Sequence, residues 1–501
     1  MTAGSRNAVG PVSLARHRTV LAAGGVVALG VVDAAVALAL LHVNAFLVVG
    51  AIAGLLVLGV GLLVASERVL EIYAVVLVVV PSVIQVQLGG FAFTTFRLFM
   101  PLVAVVFAVR ALTGREQVRR SPLDFAVVAF ALAIAIGFSI TMDGGEAAAR
   151  RYAVTRIVTF SFEYIALFYL VFWTVRDASA RMRMTTILVA AMTLVAVYGL
   201  LEAATHQNYI NSIDTGLAKD DVARRVFTRA ELTRARSTFE HPISLGTALA
   251  MTLPLALHLT SFARRRAGRA LGWGAFAVML GCLVATVSRG PYVAAIIALA
   301  LVFLAGGAKK ARARLVLGLS VFAAAVVLFG WSLLERVFTT FAVDASVESR
   351  LVDYPRVLRI FKEQPLFGQG LGSLNPSSFA YVDNYFLKTL GELGLVGVVT
   401  LATLLVAVIV VLALGVKRLP PGADRSLTAA VLAAAVAFTL QTATFDSLSF
   451  SKSSGLYWVL VGLGMSACAQ GGLSPGRGSR DRSSGAAPDR PPASPSSGRR
   501  D

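Results

Sequence analysis

The chain is 501 residues long, 57% hydrophobic and only 15% charged, with a mean hydropathy of +0.76; this excludes an ordinary soluble enzyme and predicts a polytopic membrane protein. Its formal net charge of +19 invites a nucleic-acid partner, but the Lys and Arg residues fall in short clusters between apolar runs. That is the pattern of orientation determinants, so no nucleic acid is expected.

A span of the hydrocarbon core needs roughly 20 mostly apolar residues, and runs of that length predict an all-α integral membrane protein with about fourteen transmembrane helices. They lie near 20–40, 45–65, 71–88, 92–112, 123–141, 155–175, 184–203, 242–262, 270–287, 290–306, 314–334, 393–415, 426–446 and 454–470. The first run is longer than a signal-peptide core and another follows almost at once, so a retained helix is expected. The run at 71–88 is the weakest, because Pro81, Gln85 and Gln87 interrupt it. Cys282 and Cys468 both sit inside apolar runs, which predicts packing residues and neither a disulfide framework nor a thiolate metal site.

Basic residues in short loops tend to stay cytoplasmic. Clusters at Arg6 to Arg18, Arg110 to Arg120, Arg176 to Arg183, Arg264 to Arg269, Lys309 to Arg314 and Lys417 to Arg425 all fall on one side of such a chain. Arg150 and Arg151 break the pattern. The predicted organisation is a cytoplasmic N-terminus (1–19), N-terminal membrane helices (20–203), a first long outer loop (204–241) and central membrane helices (242–334). A second long outer loop (335–392), C-terminal membrane helices (393–470) and a disordered cytoplasmic tail (471–501) follow. The two long extracytoplasmic loops are expected to contain short amphipathic helices; the tail is rich in Gly, Ser, Pro and Arg with almost nothing to bury. No internal repeat is evident, which weighs against transporter folds built from two related halves.

Four pieces on the outer side carry residues suited to chemistry. Arg234-Ala235-Arg236-Ser237-Thr238-Phe239-Glu240-His241-Pro242 ends the first loop, and Pro242 suits a first helical turn. Its arginines are either surface charge or anion ligands. Ser288-Arg289-Gly290-Pro291 is a tight turn whose arginine opposes the positive-inside bias, through either headgroup snorkelling or ligand binding. Glu348 to Gly372 contains Arg350 and an amphipathic stretch at 351–363, expected to start near Pro355 and to end at Pro365. Gly368, Gly370 and Gly372 then permit a tight turn or a close backbone approach to a ligand. Asp383-Asn384-Tyr385-Phe386-Leu387 is either the cap of the next helix or a carboxylate at a membrane-facing cleft, able to act as a general base.

Together RARSTFEHP, TVSRG, PLFGQGLGS and DNYFLKTLGELGLVG, in that order from Arg234 to about Val416, resemble the O-antigen ligase and Wzy-type polysaccharide polymerase superfamily. The resemblance implies transfer of a glycan from undecaprenyl pyrophosphate to an acceptor sugar hydroxyl at the outer face of the cytoplasmic (inner) membrane, with no nucleotide sugar, metal or other cofactor. The substrate-side partners are then the undecaprenyl-pyrophosphate-linked oligosaccharide, the acceptor glycan and membrane lipids, with a flippase and a chain-length regulator as candidate protein partners.

On the matching motifs Arg236 and Arg289 would hold the pyrophosphate, with Arg350 a third ligand, Arg234, His241 and Asn384 in the substrate-binding set and Asp383 aiding the acceptor hydroxyl. Arginine suits this role because a departing pyrophosphate needs a permanent charge and a bidentate donor. A single displacement predicts inversion. The ligase branch typically has His-Asn where this chain has Asp383-Asn384, which favours a polymerase over a ligase. The rival classes are a transporter or flippase, with Asp33, Arg97, Arg156 and Glu163 as candidate pathway residues, and an inactive assembly scaffold.

Overall fold

A computed structural model describes residues 68–88, 91–94, 118–212, 226–229, 232–305, 345–375 and 382–470, with isolated helical positions at Arg97, Met100, Val103, Phe107, Arg110 and Val316. The expected runs at 20–40, 45–65 and 314–334, the N-terminus with Asp33, and the tail from Gly471 lie outside these residues.

In chain order the helices are α1 (Val69–Val79), α2 (Asp124–Gly144), α3 (Ala147–Thr174), α4 (Ala178–Thr205), α5 (Pro242–Phe262), α6 (Arg266–Ala285), α7 (Arg289–Ala305), α8 (Ala345–Glu363), α9 (Tyr385–Arg418), α10 (Ala423–Thr444) and α11 (Ser451–Gln470). Seven of them, α2 to α6, α9 and α10, are long and apolar enough to cross a membrane. Two antiparallel hairpins pair β1 (Gln85–Leu88) with β2 (Phe91–Thr94), and β3 (Thr228–Arg229) with β4 (Leu232–Thr233).

Almost every residue of α5 and α11 is buried, so these two helices form the centre of the bundle. Around them, α2, α4, α7 and α9 expose apolar side chains, among them Phe125, Leu132, Leu194, Val197, Val293, Ile296, Val399 and Val406. Apolar stripes of that extent face lipid in a membrane-embedded bundle.

Several boundaries differ from the expected ones. The run at 71–88 is not one helix: α1 stops at Val79, and the chain turns into the β1–β2 hairpin. The residue before a proline is driven out of helical geometry, and Val80, which precedes Pro81, has φ −70° and ψ 126°. Most of the two Gln residues' apparent interruption is therefore strand. α3 and α4 begin well before the predicted 155 and 184, so Arg150, Arg151, Arg181 and Arg183 lie in the first two turns of helices rather than in loops. Among the described residues of the first long loop there is only a 3₁₀ turn (Tyr209–Ser212) and the β3–β4 pair. α8 is the amphipathic helix expected in the second loop, but it begins at Ala345, with Pro355 inside it. The cost of that proline is offset by packing of Val357, which is fully buried with Leu374, Val382 and Leu387.

α9 begins eight residues before its predicted start and is broken at Gly394, where φ is 62° and ψ −158°. Breaking a membrane helix frees backbone groups that must be satisfied within the protein. The Pro365–Leu371 segment does this. Gly391 and Glu392 carbonyls accept from the N–H groups of Gln369 and Gly370, both at 3.0 Å, while Leu395 and Val396 N–H groups donate to Pro365 and Leu366 carbonyls at 2.9 and 3.1 Å. Gly370 has φ 97°, and a Cβ there would lie 2.3 Å from Thr141 Oγ1. The glycine run is thus a close approach of backbone to helices, and the two glycine-rich motifs are halves of one device.

The arginine-rich end of the bundle is held by its own ion pairs. Arg181, 1% exposed, grips Asp424 with both Nε (3.0 Å) and Nη2 (2.7 Å), and Arg183 reaches Glu71 at 3.2 Å. The opposite end collects the turn between α2 and α3, the segment before α5, the α6–α7 turn, the start of α9 and the α10–α11 loop.

Candidate active site

The arginine turn before α5 is built from its acceptors. Ser237 has φ 54°, a left-handed backbone rare outside glycine. Glu202 in the last turn of α4 holds it there: Oε2 accepts the backbone N–H groups of Arg236 (3.0 Å) and Ser237 (2.6 Å), and Oε1 accepts from Asn208 at 2.8 Å. Ser237 Oγ also donates to the Val195 carbonyl at 2.7 Å.

This turn is tied to the α6–α7 turn. Ala235 N–H donates to the Ala285 carbonyl at 2.9 Å, Arg234 Nε donates to the Thr286 carbonyl at 3.1 Å, and Arg234 Nη2 donates to Ser288 Oγ at 2.9 Å. Arg289 is the next residue, half-buried at the first position of α7. The structure therefore brings together RARST and TVSRG, which are more than fifty residues apart, and with them Arg234, Arg236 and Arg289. Arg236 is 1% exposed, with its guanidinium 5.8 Å from the Phe227 ring. Burial lowers its pKa, and the charges of Glu202 and Glu240 oppose that shift; arginine keeps its proton regardless.

His241 caps α5, its Nδ1 accepting the Ile243 N–H at 3.1 Å. Its ring stacks on Phe445 and meets Phe227 edge-on, with centroids at 5.6 and 4.8 Å. Burial, then Arg234 and Arg236, push its pKa down to about 3, so it is a neutral wall of the site at ordinary pH.

Asp383 and Asn384 lie where α8 meets the start of α9. Asn384 is the N-cap of α9: its Oδ1 accepts the Leu387 N–H at 3.1 Å, and its Nδ2 donates to Tyr354 Oη at 3.2 Å. Half-buried Asp383 gives its backbone N–H to the Asp353 carboxylate, whose pKa burial raises against that bond and Arg356. Arg350 lies on α8, N-terminal to these contacts.

Sequence reading missed a second set of residues. Along one face of the first half of α9, Tyr385, Lys388 and Glu392 recur at helical spacing and are all buried. Lys388 Nζ donates to Asp446 Oδ2 at 2.9 Å, Ser449 Oγ at 3.2 Å and Tyr152 Oη at 3.3 Å. Arg156 of α3, treated above as a candidate pathway residue, donates to Ser449 Oγ at 2.7 Å and Tyr385 Oη at 2.8 Å. Arg97 and Glu163, two other pathway candidates, pair with each other at 2.5 Å, and Arg97 also reaches Ser451 Oγ at 2.9 Å.

The α10–α11 loop, Phe445 to Lys452, is the common element. Its Phe445 and Phe450 rings flank His241, Asp446 and Ser449 face Lys388 and Arg156, and the fully buried Lys452 donates to the carbonyls of Thr238 and Val80, both at 2.6 Å. The available signal was the polar run DSLSFSKSS between two apolar runs, with a carboxylate and a lysine six residues apart. Among the described residues, no group of His, Cys, Asp and Glu is arranged to hold a metal ion.

Residues 274–402 match the family model described as O-antigen ligase. The match supports the O-antigen ligase/Wzy superfamily. It runs from within α6 across Arg289, α8, the glycine loop and Asp383 into α9, and the Arg234–Ser288 bond ties the unmatched arginine turn to it. The O-antigen ligase family implies a glycosyl-transferring membrane enzyme with a lipid-linked glycan as substrate. No curated protein matches the chain.

Proposed function

We propose that this protein polymerises undecaprenyl-pyrophosphate-linked oligosaccharide repeats into a surface polysaccharide at the outer face of the cytoplasmic membrane. The observation that carries the reading is the bond between Arg234 and Ser288, which joins the turns bearing Arg236 and Arg289. An acceptor hydroxyl attacks the anomeric carbon from the face opposite the pyrophosphate, so a new C–O bond forms as the sugar–phosphate C–O bond breaks. The electron pair leaves on the pyrophosphate, and the hydroxyl proton passes to Asp383. Arg236 and Arg289, with Arg350 and Arg234, neutralise the growing charge; permanent, bidentate donors in a partly water-excluded site are what that step needs. Asn384 fixes the start of α9 beside Asp383, and His241 shapes the wall. The single displacement inverts the anomeric configuration without a metal.

Positive charge supports the orientation. The other end of the bundle carries Arg119, Arg176, Arg181, Arg264, Arg265, Lys417 and Arg418, so it faces the cytoplasm under the positive-inside rule. A second reading, transfer of the finished glycan to a different acceptor, is favoured by the description of the matched family as O-antigen ligase. The chemistry is shared and only the acceptor differs. A flippase would supply the donor and a chain-length regulator would stop the growth.

The test is reconstitution in liposomes with an undecaprenyl-pyrophosphate oligosaccharide, following product length on a gel. A ladder from lipid-linked substrate alone is the expected result. A single shift that requires an added acceptor makes the protein a ligase, and unchanged substrate that merely crosses the bilayer overturns the enzyme reading.

A further inference from the structure

A cleft of about 470 Å³ opens between the α2–α3 turn, the end of α8 and the glycine loop. It lies at the same end of the bundle as the arginine turn, because Ala149 in its wall is followed within one turn by Tyr152, a partner of Lys388. Its volume is that of a small-molecule site.

The lining has a definite chemistry. Glu146, Glu363, Gln364 and Gln369 present carboxylates and amides, while Ile360 and Leu374 supply an apolar wall. Gln369 Nε2 donates to Glu363 Oε2 at 3.0 Å, which holds these two side chains side by side. Ser373 also belongs to the wall, and its Oγ is buried without a hydrogen-bond partner. No arginine or lysine is among the described residues that line the cleft, and the neighbouring Arg150 donates its Nε to the Gly145 carbonyl of the wall at 2.7 Å. Two carboxylates in the wall disfavour phosphate or any other anion. Carboxylate and amide groups beside an apolar wall match a sugar ring, which offers hydroxyl donors around its edge and C–H groups on its face.

The geometry points to this cleft as a saccharide subsite that holds uncharged sugar rings of the glycan while the arginine turns hold the pyrophosphate. The inference rests on the proposed glycan chemistry but predicts binding without turnover. Gly144, at the end of α2 and in the cleft wall, provides a clean probe, because a Cβ there meets nothing within 4 Å. Gly144→Trp fills the cleft and Gly144→Ala leaves it open.

The experiment uses the full chain in lipid nanodiscs, with the oligosaccharide released by mild acid from the lipid-linked glycans of the producing cells. Binding is read by saturation-transfer NMR. The native chain and Gly144→Ala are expected to bind alike, with affinity reduced about ten-fold or more in Gly144→Trp. If Gly144→Trp fails to fold, Glu363→Gln/Gln369→Ala, which alters one exposed and one half-buried side chain, serves instead with the same expected loss. Inorganic pyrophosphate is expected to leave the saccharide signal intact. Equal binding by the filled or stripped cleft, displacement by pyrophosphate, or no binding by the native chain overturns the inference. Turnover in liposomes separates the two ideas: transfer without cleft binding sinks the subsite alone, and cleft binding without transfer sinks the proposed reaction alone.

Discussion

Glu202 accepts two consecutive backbone N–H groups, those of Arg236 and Ser237, and so a carboxylate at the end of one membrane helix sets the conformation of an arginine thirty-four residues later. Glu202→Ala strands both donors in a buried turn, at about 1–3 kcal/mol for each unsatisfied group. The expected outcome is a lower unfolding temperature and a fall in glycan transfer of more than about ten-fold, with Glu202→Gln intermediate because its amide retains an acceptor oxygen. Thermal unfolding in detergent and the liposome assay check both; full activity in Glu202→Ala would detach the Arg236 turn from catalysis.

Arg236→Lys and Arg289→Lys keep the charge but lose the bidentate fork. Loss of a donor to a developing anion costs roughly 10²–10³ in turnover in well-studied cases, and a drop of that order is expected in both alanine variants, with the lysine variants in between. If Arg236→Ala and Arg289→Ala fold normally and transfer glycan at the native rate, the pyrophosphate assignment is wrong.

Gly394→Ala forces a side chain into a backbone with φ 62° and brings its Cβ to 2.5 Å from the Leu366 carbonyl. Left-handed strain alone costs about 1–3 kcal/mol, and the collision also pushes away the loop that satisfies the broken helix. A marked loss of thermal stability is expected, together with faster hydrogen exchange at Gln369, Gly370, Leu395 and Val396. Unchanged exchange at those four amides would show that the loop and the helix break are independent.

The buried Lys388–Asp446 pair, 5% and 10% exposed, predicts strong non-additivity. Removing one member of a buried ion pair costs about 3–5 kcal/mol, because it leaves an uncompensated charge, whereas replacing both is far milder. Lys388→Met and Asp446→Leu are each expected to destabilise strongly, and the double variant to recover much of the loss. A double-mutant cycle by thermal unfolding measures this coupling, and additive effects would contradict it.

His241 gives a pH prediction. Its pKa is depressed from 6.5 to about 3 in the folded chain, so the folded state binds fewer protons than the unfolded one between those values. Its contribution is therefore fully present above about pH 6.5 and is lost progressively as pH falls from there toward 3. His241→Asn retains a capping acceptor and is expected to flatten the decline in unfolding temperature over that window; an unchanged slope would assign the acid sensitivity to other groups.

The helix predicted at 242–262 matches α5 residue for residue, because Pro242 marks a first turn and the apolar run that follows is a local property. The start of α9 was missed by eight residues, since Lys388 and Glu392 look like loop residues until their partners are known. The arginine turns were legible as motifs, because an arginine in an expected outer turn opposes a general charge bias. Lys388, Asp446 and Lys452 were not, because each is explained only by a partner far along the chain; Arg156 was legible only as a candidate pathway residue, since its partner Ser449 lies 293 residues away.

By itself, then, the amino-acid sequence determined a multi-helical membrane chain, the positions of most described spans and the motifs that resemble the O-antigen ligase superfamily, because hydrophobic length, charge bias and motif wording are all local. Only the tertiary structure decided that the GQGLG loop repairs the break at Gly394, that Glu202 sets the Arg236 turn, and that the Phe445–Lys452 loop joins the arginine turns to the charged face of α9. Buried polar groups must find partners where water is absent, and which partners they find depends on which helices become neighbours.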